Sequence, residues 1–179
     1  TWNSADATFW QPYRARISSV NMAPDVRALN MQAWFRGMPR LVDVRKGFFI
    51  PDNCEVVQWL FYGCSSLRFL PEGFFPETNK VMAGVAGMFQ NCFSIESLPA
   101  DFTVPGTVKS TGFMLAGTAI EALPEKFSLP TELDDMSQMF RGCNNLKSLP
   151  ESFIIPSSAY GLKEVFVDCP ALTVLPAKL

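Results

Sequence analysis

MFRGCNNLKSLPESFIIP, residues 139–156, decides the fold, because versions of it recur along most of the chain. The counterparts of Met139-Phe140 are Trp34-Phe35, Leu60-Phe61, Met88-Phe89, Met114-Leu115 and Val165-Phe166, at successive spacings of 26, 28, 26, 25 and 26 residues. A near-constant period of this length is the mark of a solenoid, in which each unit packs only on its neighbours. One such unit has too few large apolar side chains to offset the entropy of ordering it. Units must therefore stack, and folding should be cooperative along the array.

Outward from the quoted stretch, each unit opens with an apolar approach: Val57 before Leu60, Val85 before Met88, Met136 before Met139, Leu162 before Val165. In the first unit Val26, Leu29, Met31 and Trp34-Phe35 follow one another at two or three residues, close to one face of a helix, which predicts about two helical turns. Gly63, Asn91, Gly117 and Gly142 follow, residue types that let a chain leave a helix, and a cysteine comes next in most copies. Paired apolar positions then predict a short strand: Leu41 and Val44, Leu67 and Leu70, Ile95 and Leu98, Ile120 and Leu123, Leu146 and Leu149, Leu172 and Leu175. The strand must be short, because Pro71, Pro99, Pro124, Pro150 and Pro176 follow directly and cannot donate to a ladder. A second ring (Phe48, Phe74, Phe102, Phe127, Phe153) and another proline close the unit. These columns take up ten of the fourteen prolines and ten of the sixteen phenylalanines, which excludes chance self-similarity. Two departures stand out. The unit from Leu60 carries two extra residues around Met82-Ala83-Gly84, and the unit from Met114 has lost one residue and its cysteine.

The expected organisation is a degenerate, aromatic-rich capping segment at 1–33, in which Ile17 and Val20 keep the spacing of the later leucine pairs, followed by a continuous solenoid of about five and a half units at 34–179. The fold class is an α/β repeat solenoid with short parallel strands on one side and short helical turns on the other. With 48% hydrophobic and 18% charged residues the chain has ample core material and no disorder signature. Net charge is -2 without any basic run, which argues against nucleic acid as a partner. No apolar run reaches the roughly 18 to 20 residues of a membrane span, so no direct membrane insertion is expected. The opening Thr1-Trp2-Asn3, without Met or leader, reads as a trimmed mature chain or a fragment. The complete absence of histidine removes the usual general base, the Ser-His and Cys-His pairs and the commonest zinc ligand.

The unit, with Met-Phe, Gly-Cys, Leu-x-x-Leu-Pro and Phe then Pro, resembles the 26-residue repeats of BspA-like and lipoprotein-type bacterial surface proteins, a branch of the leucine-rich-repeat superfamily. The resemblance covers 34–179. It implies a right-handed solenoid with a parallel sheet on one side, exposed on or secreted from a bacterial cell and used in adhesion to host proteins or other cells. The chain departs from many leucine-rich repeats after the second Leu, where Pro-Glu-like pairs replace a further Leu.

Cys64, Cys92, Cys143 and Cys169 share one repeat position, and Cys54 lies elsewhere. Stacked equivalents at about 4.8 Å are too far apart for the roughly 3.8 Å between the Cβ atoms of a disulfide, so free thiols filling a turn are expected. No Cys-x-x-Cys supports zinc and no repeated Asp-x-Asp supports calcium; no cofactor is expected. Asp52-Asn53 and Asp134-Asp135 read as caps of the helical turns. Candidate ligand-binding residues are those between the paired apolar positions, which point outward and vary: Asp43, Arg68, Phe69, Glu96, Glu121 and Lys147. Arg68 and Phe69 have the character of interface anchors, although Phe69 would equally suit a core. Glu72, Glu125 and Glu151 form a column that could supply paired carboxylates for glycosidase chemistry, or simply solvated turns. The leading reading is a non-enzymatic cell-surface module binding a host or environmental protein or glycan through its strand face. A structural spacer displaying another domain and an enzyme with paired carboxylates are the competing readings. An open edge strand could also pair with a second copy to form a dimer.

Overall fold

The computed structural model describes residues 10–176, with Thr1 to Phe9 and the last three residues left out. Two columns of parallel bridges run along the molecule. One joins Asn30, Val56, Gly84, Ser110, Asp135 and Gly161 in succession; the other joins Ser19, Asp43 and Phe69, and, further on, Ala122, Ser148 and Val174. Counting a coil from each residue of the first column gives six: coil 1 at 30–55, coil 2 at 56–83, coil 3 at 84–109, coil 4 at 110–134, coil 5 at 135–160 and coil 6 from 161. The expected strand side is therefore present as single-residue bridges rather than as extended strands.

The expected helical turns are not formed: among the described residues there is no α-helix or 3-10 helix. Hydrogen bonding gives the reason. The N–H groups of Met31, Ala33, Phe35 and Gly37 leave their own coil and reach the carbonyls of Val56, Gln58, Leu60 and Tyr62 at 2.8, 2.9, 3.0 and 2.7 Å. Only the N–H groups between them remain for local bonds, Trp34 to Met31 O and Arg36 to Ala33 O, which close β-turns rather than helical rings. The run is thus a row of turns stacked by parallel inter-coil bonds. Each row needs two left-handed residues four apart: Ala33 and Gly37, Trp59 and Gly63, Gly87 and Asn91, Phe113 and Gly117, Gln138 and Gly142, Glu164 and Asp168. At Gly63 (φ 71°) a Cβ would meet only the Gly37 Cα, at 3.9 Å. Gly63→Ala should therefore cost about 1–2 kcal/mol through the backbone alone. Gly106→Ala, at a residue with open space and no positive φ, should be neutral, and urea unfolding of the two variants beside the parent chain checks both.

The core runs the length of the solenoid as stacked columns. Phe35, Phe61 and Phe89 stack at 5.5 and 5.9 Å, and Phe140 stacks on Phe166 at 5.4 Å, with Leu115 between the two runs. A second file, Phe48, Phe74, Phe102, Phe127 and Phe153, is unbroken. The five cysteines are free. Those of the repeat column donate to the carbonyl of the preceding coil: Cys64 to Phe35, Cys92 to Phe61, Cys143 to Leu115 and Cys169 to Phe140, at 2.9 to 3.2 Å. Where coil 4 lacks the cysteine, the Thr118 hydroxyl takes its place beside Cys143 and donates to Leu115 O. The capping segment contributes Ser19 to the second bridge column and the buried Val20; its first nine residues lie outside the described part. No described helix is long and apolar enough to cross a membrane.

The two extra residues of coil 2 are held by Asn79, which is 5% exposed. Its amide donates to Pro51 O and Cys54 O, and its side-chain oxygen accepts from the N–H groups of Val81 and Met82. Every polar group of a buried amide is thus satisfied, which fixes the longer loop.

Candidate functional site

Along the second bridge column coils 2 to 5 show the same order, buried, exposed, exposed, buried; in coil 1 Asp43 is only partly exposed, and in coil 6 Leu172 is partly and Leu175 fully on the exposed side. Leu67 and Leu70 are buried around the exposed Arg68 and Phe69, and Leu146 and Leu149 around Lys147 and Ser148. A bridge of single residues explains the pattern, since the chain bends inward on both sides of the pair instead of alternating as in a strand. All six sequence-derived candidates lie on this face. Asp43 is partly exposed, and Arg68, Phe69, Glu96, Glu121 and Lys147 are exposed.

The structure brings these residues together in two groups. In the first, the Arg68 guanidinium donates to Glu96 at 2.7 Å, and Arg45 packs over the Phe69 ring with 4.4 Å between guanidinium carbon and ring centre. Arg45 is in turn held by two-pronged hydrogen bonds to Asp43, at 2.7 and 3.1 Å. That guanidinium holds the Asp43 carboxyl below its usual range. The second group is the Lys147–Glu121 pair at 2.6 Å, two coils further on. Both ends of the two inter-coil ion pairs are half exposed or more, so they order side chains more than they stabilise the fold.

Between the groups the ladder is interrupted. Val42 O accepts from Arg68 N and Phe69 N, Glu96 O from Glu121 N, and Glu121 O from Lys147 N. Among the described residues no such rung joins Glu96 N to Arg68 O, and no bridge joins Phe69 to Ser97. The extra residues of coil 2 lie between these two positions. At this gap opens a groove of about 470 Å³, lined by Arg45, Phe69, Pro71, Glu72, Ser97 and Pro99 among others. Arg45 and the groove were not among the sequence-derived candidates; the 28-residue spacing is the signal that marked the place.

The other candidate chemistries are dispersed. Glu72, Glu125 and Glu151 are exposed on turns. Asp135 caps a turn, not a helix: its carboxylate accepts from Ser137 N at 3.0 Å and from the Ser110 hydroxyl at 2.9 Å. Partial burial pushes that carboxyl up, but the bonds from Ser137 and Ser110 outweigh it and hold it below the usual range. Asp52 accepts from the Thr78 hydroxyl at 2.6 Å. Among the described residues no group of three or more carboxylates and thiols is placed to hold a metal. A separate apolar cavity of about 700 Å³ lies between the capping segment and coil 1, lined by Trp10, Ile17, Val20, Met22, Trp34 and Phe35 among others. The Trp34 indole N–H is buried and meets no acceptor among the described residues.

Neither a family model nor a curated protein matches the chain. Among solved structures, a leucine-rich-repeat protein of T. pallidum is similar over 89% of this chain and 69% of its own, at 19% identity and a TM-score of 0.60. A leucine-rich cell surface protein from Faecalibacterium prausnitzii A2-165 aligns over 89% of this chain and 32% of its own, at 18% identity and a TM-score of 0.43. A leucine-rich-repeat protein from Bacteroides ovatus ATCC 8483 aligns over 90% and 61%, at 17% identity and a TM-score of 0.28. The first of these likenesses establishes the fold: the chain is built as a leucine-rich-repeat solenoid similar to that of a bacterial protein, in agreement with the resemblance of its unit to BspA-like repeats.

Proposed function

We propose that the chain is a non-enzymatic interaction module of a bacterial cell-surface or secreted protein, which binds a protein or glycan of a host or neighbouring cell through the bridge face. The observation that carries this reading is the Phe69 ring, 43% exposed beside the groove at the interrupted rung. Arg45 lies over the ring and Asp43 anchors Arg45, so the ring is held before any partner arrives and less side-chain entropy is lost on binding. An aromatic flanked by arginines is the composition of an interface anchor, and its apolar face suits either a side chain or a sugar ring. Glu72, Glu125 and Glu151 lie on separate exposed turns, and the groove that Glu72 lines holds no second carboxylate among its lining residues, which supports the non-enzymatic reading.

The test is binding of the purified chain to a glycan array and to host matrix proteins, beside the double variant Arg68→Ala, Phe69→Ala. Saturable binding weakened at least tenfold in the variant is the expected result, since loss of an interface anchor costs about 2 kcal/mol or more. Binding that the variant leaves unchanged would move the site elsewhere. A specific observation favours the spacer as second reading: Arg45, Arg68 and Lys147 already have acid partners on this face. Absence of any binding by a chain that melts cooperatively would put that reading first.

A further inference from the structure

The residue missing from coil 4 opens a notch in the side of the solenoid. Between the end of the turn row and the inward-facing apolar residue that follows, coils 2, 3 and 5 place a cysteine and two further residues, Ser65-Ser66, Phe93-Ser94 and Asn144-Asn145. Coil 4 has only Ala119 after Thr118. Its corner is therefore drawn in, and the corners of coils 3 and 5 stand on either side of it. A groove of about 470 Å³ lies between them, with Phe93 on one wall, Asn144 on the other and Ala116 and Gly117 at the floor. Glycine keeps that floor clear: a Cβ at 117 would come within 2.9 Å of Asn91 Oδ1 and 3.4 Å of Phe93 Cε1.

We infer that this notch is a second binding site, for a neutral saccharide, in which a pyranose ring lies against Phe93 and its hydroxyls bond to the amides of Gln90, Asn91 and Asn144. It is separate from the bridge face and does not depend on binding there. Phe93, at 60% exposed, is the most exposed phenylalanine among the described residues and offers an apolar platform. Each amide carries both donors and an acceptor, which matches hydroxyl groups that are themselves both. These amides are also little engaged. Asn91 reaches the Tyr62 hydroxyl only at 3.5 Å, and among the described residues the side chains of Gln90 and Asn144 make no hydrogen bond.

Size, backbone and charge each disfavour another occupant. Coils 3 and 5 are two steps of about 4.8 Å apart, which is too narrow to admit a helix of about 10–12 Å between their side chains. An extended peptide added as a strand needs free backbone groups, and here they are taken. Asn91, Gly117 and Gly142 donate their N–H groups to the carbonyls of Ala116, Arg141 and Val167 at 2.8, 2.7 and 2.9 Å. Of the lining residues only Arg141 and Asp168 are charged, and with opposite signs. Arg141 already donates to Gln138 Oε1 at 3.0 Å, so an acidic ligand finds no unengaged cation among the lining residues.

The test is NMR mapping of amide shifts in the full 179-residue chain against neutral trisaccharides of glucose, galactose, mannose and N-acetylglucosamine, each raised to about 20 mM. At least one should shift the amides of Asn91, Gly117 and Gly142 saturably. Phe93→Ala should weaken that binding about tenfold or more, and Asn144→Ala about threefold or more. Phe93→Trp, which keeps the platform, should bind at least as well as the parent. All three variants change exposed side chains and should melt with the parent chain. Shifts confined to the surroundings of Phe69, or binding indifferent to Phe93→Ala, would overturn the site. So would the absence of any shift with all four sugars. A pool of short peptides forms the other arm, and shifts of these amides by peptide where no saccharide causes them would overturn the ligand class.

Discussion

Raising the pH from 8 to 10 should lower the free energy of unfolding by about 5 kcal/mol, as much as the whole stability of a marginally stable domain. Burial pushes the thiols of Cys54 and Cys143 up to about 11 and that of Cys64 up to about 12. Cys92, in the middle of the column, is driven well above its ordinary value by burial and then by the neighbouring Cys64. A thiol whose folded pKa exceeds its unfolded value favours folding fully below the unfolded pKa, here about 9. That contribution is lost as pH rises from there through the folded values. At one unit above the unfolded pKa the loss is about 1.3 kcal/mol for each thiol, and four thiols give the total above. The measurement is urea unfolding at pH 8, 9 and 10, with Cys92→Ala alongside. The variant should start less stable, because it removes a buried side chain and its bond to Phe61 O. Its stability should then fall more slowly with pH, by about 1 kcal/mol less between pH 9 and 10. A stability that stays level between pH 8 and 10 would contradict the stacked-thiol reading.

The repeat register was legible because each column does one physical job in every coil. Phe74 and its equivalents fill one stacked file, and Cys64 and its equivalents each reach one carbonyl of the preceding coil. The turn rows were not legible as such. A helix and a row of β-turns with a left-handed residue every fourth position both place apolar side chains three to four residues apart, so Val57, Leu60 and Phe61 fit either. What separates them is the destination of every second N–H, which is a neighbouring coil and leaves no trace in composition. Gly63, Asn91, Gly117 and Gly142 hinted at positive φ, but Ala33, Trp59, Phe113, Gln138 and Glu164 adopt it without that signal. The stacked backbone over-determines these residues.

The same division holds for the candidate site. Arg68, Phe69, Glu96, Glu121 and Lys147 could be read as outward-facing because the paired apolar residues around them must turn inward. Arg45 could not, since it follows the pair and meets Phe69 only through the distance between adjacent coils. The groove beside Phe69 arises from an absent rung, and no residue type encodes that.

Phe102→Ala should be the most damaging single substitution in the core, at about 4–5 kcal/mol. The ring is 2% exposed and lies between Phe74 at 5.7 Å and Phe127 at 6.4 Å, with Phe75 at 5.4 Å and Phe89 at 6.3 Å. A buried phenylalanine cut back to alanine costs about 3–5 kcal/mol, and this one also gives up ring contacts worth about 0.5–1.5 kcal/mol for each favourable pair. Its neighbours are fixed in turn by their own coils, so the cavity cannot collapse. Phe102→Leu should cost only about 1–2 kcal/mol, because the other file already tolerates Leu115 between Phe89 and Phe140. Because the array is held by nearest-neighbour contacts, the alanine variant should also loosen the coupling between coils 1–2 and coils 4–6. Hydrogen exchange would then show the two flanks opening with different free energies, where the parent chain opens them together. If Phe102→Leu proved as costly as Phe102→Ala, ring stacking rather than filled volume would be what holds this file.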